Sequence, residues 1–96
     1  MKKKILIVLA DYYTGISNGL LKTAKSRLKN LYSVKIIKVP GVFEIPVTIS
    51  KNIKKYDAFI ALGCVIKGQT PHFDFISYAT TNSIMHLAVN NKKPVG

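Results

Sequence analysis

At 96 residues the chain is one domain, and its 48% hydrophobic content describes a packed globule and excludes a disordered tail. Fifteen Lys and Arg against four acidic residues give a formal charge of +11, which alone admits nucleic acid, an acidic membrane surface or an anionic substrate. Cys64 is the single cysteine, which excludes an intrachain disulfide and fits a reducing cytoplasm.

Lys2 to Lys4 followed by Ile5 to Ala10 has a basic-then-apolar look, but the apolar part is too short to span a membrane. It also runs into Asp11, Tyr12 and Tyr13, not a small-residue cleavage site. The segment reads as a buried central strand over residues 4–10. A turn follows, and a helix is expected over residues 16–30, its apolar stripe made by Ile16, Leu20, Leu21, Ala24, Leu28 and Leu31. Residues 34–39 read as a second strand, with Lys35 and Lys38 suiting an outer position. Pro40 and Gly41 end it. Pro46 restricts Ile45 to extended geometry and marks a second helix over residues 46–54, with Val47, Ile49 and Ile53 as its buried side. Glu44 is thereby held in a strand-to-helix loop between Phe43 and Ile45, either as a functional acid or as a partner for the helix dipole.

A third strand is expected over residues 58–65, a near-continuous apolar run led in by Tyr56 and Asp57. Beyond it Ile76, Ala79, Thr80, Ser83, Ile84, Leu87 and Ala88 recur at helical spacing, giving a helix over residues 71–90. The period changes on a loop of special residues. Gly68 lets backbone amides approach a ligand, Thr70 is a good N-cap, and Pro71 suits the first helical position. With Lys67 nearby, the free donors of that helix start make an anion site. His72 falls in the expected first turn, where the dipole favours a neutral imidazole able to act as a base; the alternative is a histidine that packs or caps.

Alternation of strand and helix argues for a parallel α/β sandwich with right-handed crossovers. Pro94, Val95 and Gly96 look like the lead-in to a fourth strand, so the chain is expected to stop mid-fold. Asp11, Glu44 and Asp74 each follow a strand, at the sheet edge where ligands bind in open α/β folds; Asp57 alone precedes one. Most lysines read as solvated helix faces. No basic run is interleaved with aromatics, which argues against a nucleic-acid-binding module.

The segment Val39, Pro40, Gly41, Val42, Phe43, Glu44, Ile45, Pro46, taken with Tyr56, Asp57 and Ala58 and with the run from Leu62 through Gly63, Cys64, Val65, Ile66, Lys67, Gly68, Gln69, Thr70, Pro71, His72, Phe73 and Asp74 to Phe75, closely resembles the 6,7-dimethyl-8-ribityllumazine synthases. The resemblance runs from the first strand to Gly96. It implies a flavodoxin-like three-layer sandwich of strand order 2-1-3-4, and a homo-oligomer, a pentamer or shell. It implies a cofactor-free condensation in riboflavin biosynthesis, joining 5-amino-6-(D-ribitylamino)uracil to 3,4-dihydroxy-2-butanone 4-phosphate. Tyr12 then matches the aromatic that stacks on the pyrimidine, and Val42, Phe43 and Glu44 the loop that holds the ribityl chain. Val65 and Ile66 match backbone contacts to the heterocycle; Lys67 stands where arginine is common; Gly68, Gln69 and Thr70 match the phosphate loop; His72 matches the general acid/base. Tyr13 departs from a usual Asn, and Tyr78 with Ala79 from a frequent Asn and Glu pair. The resemblance also implies a fourth strand and two helices beyond Gly96, carrying an arginine, a lysine and an aromatic of the pocket. On that reading the 96 residues are a truncated synthase whose third strand is an exposed edge. The other class of reading is a non-catalytic assembly or ligand-binding relative. A flavodoxin-type redox protein is disfavoured, because no Ser/Thr-rich loop follows the first strand.

Overall fold

In the computed structural model, which describes residues 2–28, 30–64 and 72–96, with Phe73 by its backbone only, β1 (Lys4–Ala10) is buried from Ile5 to Ala10. That burial follows from its place. The chain runs β1, α1 (Thr14–Leu28), β2 (Ser33–Val39), a 3-10 turn (Val42–Glu44), α2 (Ile45–Asn52), β3 (Ala58–Leu62) and α3 (Phe73–Asn91). Strand order is β2-β1-β3, all parallel, with Ile7 opposite Ile36 on one side and Ile60 on the other. This is the layered α/β sandwich expected from the strand and helix periods, in the flavodoxin-like order.

Side chains alternate across the central strand. Leu6, Val8 and Ala10 join Ile45, Ile49 and Phe59 in the core under α2 and α3, where Ile84 and Leu87 pack against them. Ile5, Ile7 and Leu9 take the other face, with α1 lying against β1 and β3. Stepping first to one side of β1 and then to the other puts the crossover helices on opposite faces. The carboxyl ends of β1 and β3 consequently form a topological switch point.

β3 does not carry a bare outer edge. Phe59 N–H donates to the Pro94 carbonyl, Gly96 N–H to Phe59, and Ala61 N–H to Gly96, so residues 94–96 lie parallel beside β3 with Val95 opposite Phe59. The lead-in to a fourth strand is therefore present and corrects the expected exposed edge over Phe59–Ala61. Lys93 anchors this return, its Nζ donating to the carbonyls of Ile53 and Tyr56 at the end of α2. Asp57 is structural: its N–H donates to the Lys4 carbonyl and its carboxylate accepts from Lys4 N–H, both at 2.8 Å.

Several bounds and faces differ from those expected. α1 starts and ends two residues earlier and turns Ser17, not Ile16, into the core; Ser17 Oγ donates to the Ala10 carbonyl at 2.9 Å, while Ile16 and Leu31 are exposed. α2 buries Ile45, Ile49 and, in part, Ile53, an i, i+4 series, so Val47, about 200° from its neighbours in that series, faces out. β3 ends at Leu62, because Gly63 and Cys64 already belong to the loop. α3 begins at Phe73, with His72 at the N-cap in non-helical geometry, φ −113° and ψ 37°. Thr70 and Pro71, expected to start that helix, lie outside the described residues.

Candidate active site

Three strand ends build the site. At the end of β1, Asp11 N–H donates to the Val39 carbonyl, tying the loops after β1 and β2 together. Its carboxylate lies 4.0 Å from Lys38 Nζ, and its Oδ1 is buried with no hydrogen-bond partner among the described residues. Tyr12 is exposed, its ring set edge-on against Tyr13 at 4.8 Å. That leaves an aromatic face open to a flat ligand.

After β2 the extended Gly41 leads into the 3-10 turn that presents Phe43 and Glu44 to solvent. Glu44 stands at the N-cap of α2 without a side-chain cap; its carbonyl, not its carboxylate, accepts from Thr48 Oγ1. The carboxylate thus sits at the positive end of α2 and, among the described residues, makes no hydrogen bond that would keep it from a ligand. Gly63 sets the height of this turn. A Cβ there would meet Val42 Cγ1 at 2.6 Å and Ala10 Cβ at 3.1 Å, so only glycine lets the turn after β2 settle onto the end of β3.

Phe43, His72, Phe75 and Ile76 line an open apolar cleft of about 490 Å³. Phe43 and Phe75 stack obliquely across it, with centroids 6.4 Å apart. His72 is exposed at its mouth. The backbone carbonyl of His72 accepts from Ile76 N–H, but its imidazole makes no capping bond, so capping does not account for the side chain. An imidazole on an apolar wall, with a carboxylate on the adjoining turn, can move protons on a ligand held in the cleft.

Of the expected site residues, Phe43 and His72 meet at this cleft, with Glu44 beside Phe43 on the same turn. Val42 turns inward instead, lining a groove with Ile45, Ala61, Gly63 and Thr80. Tyr12 lies at the neighbouring strand end and does not line the cleft. Val65, Ile66, Lys67, Gly68, Gln69 and Thr70 lie outside the described residues. The sequence reading assigned no role to Gly63, Phe75 or Ile76. A glycine ending an apolar strand run was the available signal for the first; an aromatic one turn from His72 was the signal for the second.

The profile of the 6,7-dimethyl-8-ribityllumazine synthase family matches residues 2–96. The chain belongs to this family. A lumazine synthase of Arthrobacter sp. (strain FB24) is 40% identical over 95 residues, covering 97% of this chain and 59% of its own length. Those of Cutibacterium acnes and Bartonella tribocorum are 38% and 41% identical, over 97% and 100% of this chain and 57% and 68% of theirs. The chain thus spans about three-fifths of the length of several of the relatives it matches. No helix among the described residues is long and apolar enough to cross a membrane.

Proposed function

We propose that this lumazine synthase chain catalyses, or forms the front part of the protein that catalyses, the condensation of 5-amino-6-(D-ribitylamino)uracil with 3,4-dihydroxy-2-butanone 4-phosphate to 6,7-dimethyl-8-ribityllumazine. The observation that carries this reading is the family match over residues 2–96, joined to a cleft that His72 and Phe43 line together. The pyrimidine stacks on Tyr12, while the turn from Val42 to Glu44 holds the ribityl chain and the Glu44 carboxylate accepts from its hydroxyls. Val65 and Ile66 contact the heterocycle through the backbone. Lys67, Gly68, Gln69 and Thr70 hold the phosphate.

Each step of the condensation needs protons moved. The substrate amine adds to the ketone and water leaves as the imine forms; phosphate is then eliminated; the ribityl-bearing nitrogen finally closes the ring with loss of a second water. His72 gives and takes protons at the leaving oxygens. Holding two substrates in register supplies much of the acceleration, since effective molarities of well-oriented pairs reach about 10⁵ M and above, whereas general acid/base help is worth roughly 10²–10⁴-fold. The reaction uses no cofactor. We further infer that the protein works in the cytoplasm as a homo-oligomer, with small molecules and neither nucleic acid nor membrane as partners.

The test is lumazine formation by the chain, followed optically with both substrates, against a no-enzyme control and His72→Ala. Wild-type turnover above both is expected, with His72→Ala slowed by roughly 10²–10³-fold and binding retained. Turnover equal to the uncatalysed control from a folded wild-type chain would remove the claim that these 96 residues suffice and leave the chain as the front part of the catalysing protein; a His72→Ala variant as fast as wild type would remove the histidine's role.

A further inference from the structure

The edge formed by the amino ends of the strands lies away from the cleft and is strongly basic. Lys2, Lys3 and Lys4 lead into β1, and the last turn of α1 carries Lys25 and Arg27; all five are exposed. The turn from α1 to β2 is set against them, with Tyr32 N–H donating to the Leu28 carbonyl and Ser33 N–H to the Lys3 carbonyl at 2.9 Å. Leu31 in that turn is 65% exposed. An open groove of about 360 Å³ adjoins it, lined by Lys25, Ser26, Tyr32 and Val34. Val34 pairs with Ile5 and shares its face of the sheet, so the groove lies between α1 and the outer strand.

These cations are not matched from within. Among the described residues the one ion pair, Lys38 with Asp11, lies at the carboxyl edge, and Asp57, the acid of the amino edge, is taken by the Lys4 backbone. Like charges gathered in this way attract an anion. The groove says which kind. A nucleic-acid strand would find one aromatic, Tyr32, to stack on and one guanidinium, Arg27, for a bidentate grip on phosphate. Its phosphate backbone has nothing apolar to set against Leu31 and Val34, whereas a peptide can carry carboxylates and an apolar side chain together. We propose that the amino edge binds an acidic segment of another protein, with one apolar side chain of that segment in the groove between α1 and β2 and its flanking carboxylates on Lys3, Lys25 and Arg27. Lys25 serves both halves of the contact, since it lines the groove and is exposed: its stem can cover the apolar side chain while its ammonium meets a carboxylate. The proposal goes beyond the lumazine reading and does not depend on it.

Fluorescence anisotropy on the full chain tests this, using a labelled glutamate peptide with one central phenylalanine, the same peptide with glycine in its place, and an oligouridine of matched charge. The phenylalanine peptide should bind roughly tenfold tighter than its glycine twin and tighter than oligouridine. Its affinity should fall as salt rises from about 50 mM to about 300 mM. Tyr32→Ala should remove most of the difference between the two peptides, whereas Lys25→Glu should weaken both by roughly tenfold. Circular dichroism identical to wild type marks each variant as folded, and Lys25→Glu, at an exposed position, decides the matter should Tyr32→Ala unfold. Equal affinity for the two peptides, or no binding of either at low salt, overturns the proposal. Tighter binding of oligouridine also overturns it and makes the edge a nucleic-acid surface. Folded variants that bind as wild type does place the contact elsewhere and overturn it as well.

Discussion

Gly63 shows how one missing carbon positions a site. It lies between the end of β3 and the turn that presents Phe43 and Glu44, and its nearest would-be neighbour is the branched Val42 side chain at 2.6 Å. Val42 is half-buried against Ile45, with little room to retreat. Gly63→Ala is therefore expected to cost about 1–3 kcal/mol of stability, the range for overpacking a filled site. It should also lift the turn and weaken binding of a ribityl compound. Urea unfolding together with titration of such a ligand measures both; an alanine variant with wild-type stability and affinity would mean that the turn is not seated as described. Other site residues were easier to read. Glu44 and His72 announced themselves as scarce polar groups at strand ends, and both are exposed at the carboxyl edge. Gly63 offered only the weaker sign of a glycine ending an apolar run, because its effect depends on Val42, which is 21 positions away in sequence and adjacent only after β2 and β3 flank β1.

At the scale of elements, the end of α3 carries local strain. Lys92 N–H reaches the Val89 carbonyl and Lys93 N–H the Ala88 carbonyl, the bonding pattern of a Schellman cap, and Lys92 takes the left-handed conformation with φ 53° that such a cap demands. Glycine usually holds that position. Since Lys92 is exposed, Lys92→Gly is expected to stabilise the chain by roughly 0.5–1 kcal/mol, the left-handed penalty less the extra backbone freedom of glycine. A variant that melts below wild type would show that the Lys92 side chain contributes something the cap geometry does not contain. The strands were legible from periodicity alone: an unbroken apolar run for β1, lysines in the outer β2, a short apolar β3. Helix faces were less so. Ser17 is buried because a carbonyl at the end of β1 needs a donor, and Ile16 is turned out as a consequence. A pattern that counts apolar residues has no means of preferring a serine. Val47 misled for a related reason, since over eight residues two apolar phases fit α2 almost equally and only packing on β1 selects Ile45 and Ile49.

The molecule as a whole is polarised. Helices return antiparallel to a parallel sheet, so every helix C-terminus meets the amino edge, where Lys2, Lys3, Lys4, Lys25, Arg27, Lys51, Lys54, Lys55 and Lys92 are all exposed. Asp57 is the single acid there and is already engaged with the Lys4 backbone. Asp11, Glu44 and Asp74 lie at the opposite edge with the cleft. Each cation near a helix C-terminus gains about 0.3–1 kcal/mol from the dipole. Two unit charges about 10 Å apart in water repel by about 0.4 kcal/mol, and nine cations gathered on one edge add a repulsion of this kind for each neighbouring pair, so self-repulsion is expected to outweigh the dipole gain at low salt. Screening reaches about 10 Å at 0.1 M, the distance that matters here. Raising sodium chloride from about 20 mM to about 300 mM should therefore raise the melting temperature by several degrees, since 1 kcal/mol corresponds to about 4–8 °C in a domain of this size. The sign decides. A melting temperature that falls with salt would mean that the amino-edge lysines hold the helices more than they repel one another, and their replacement by glutamine would then destabilise the fold where self-repulsion predicts the reverse.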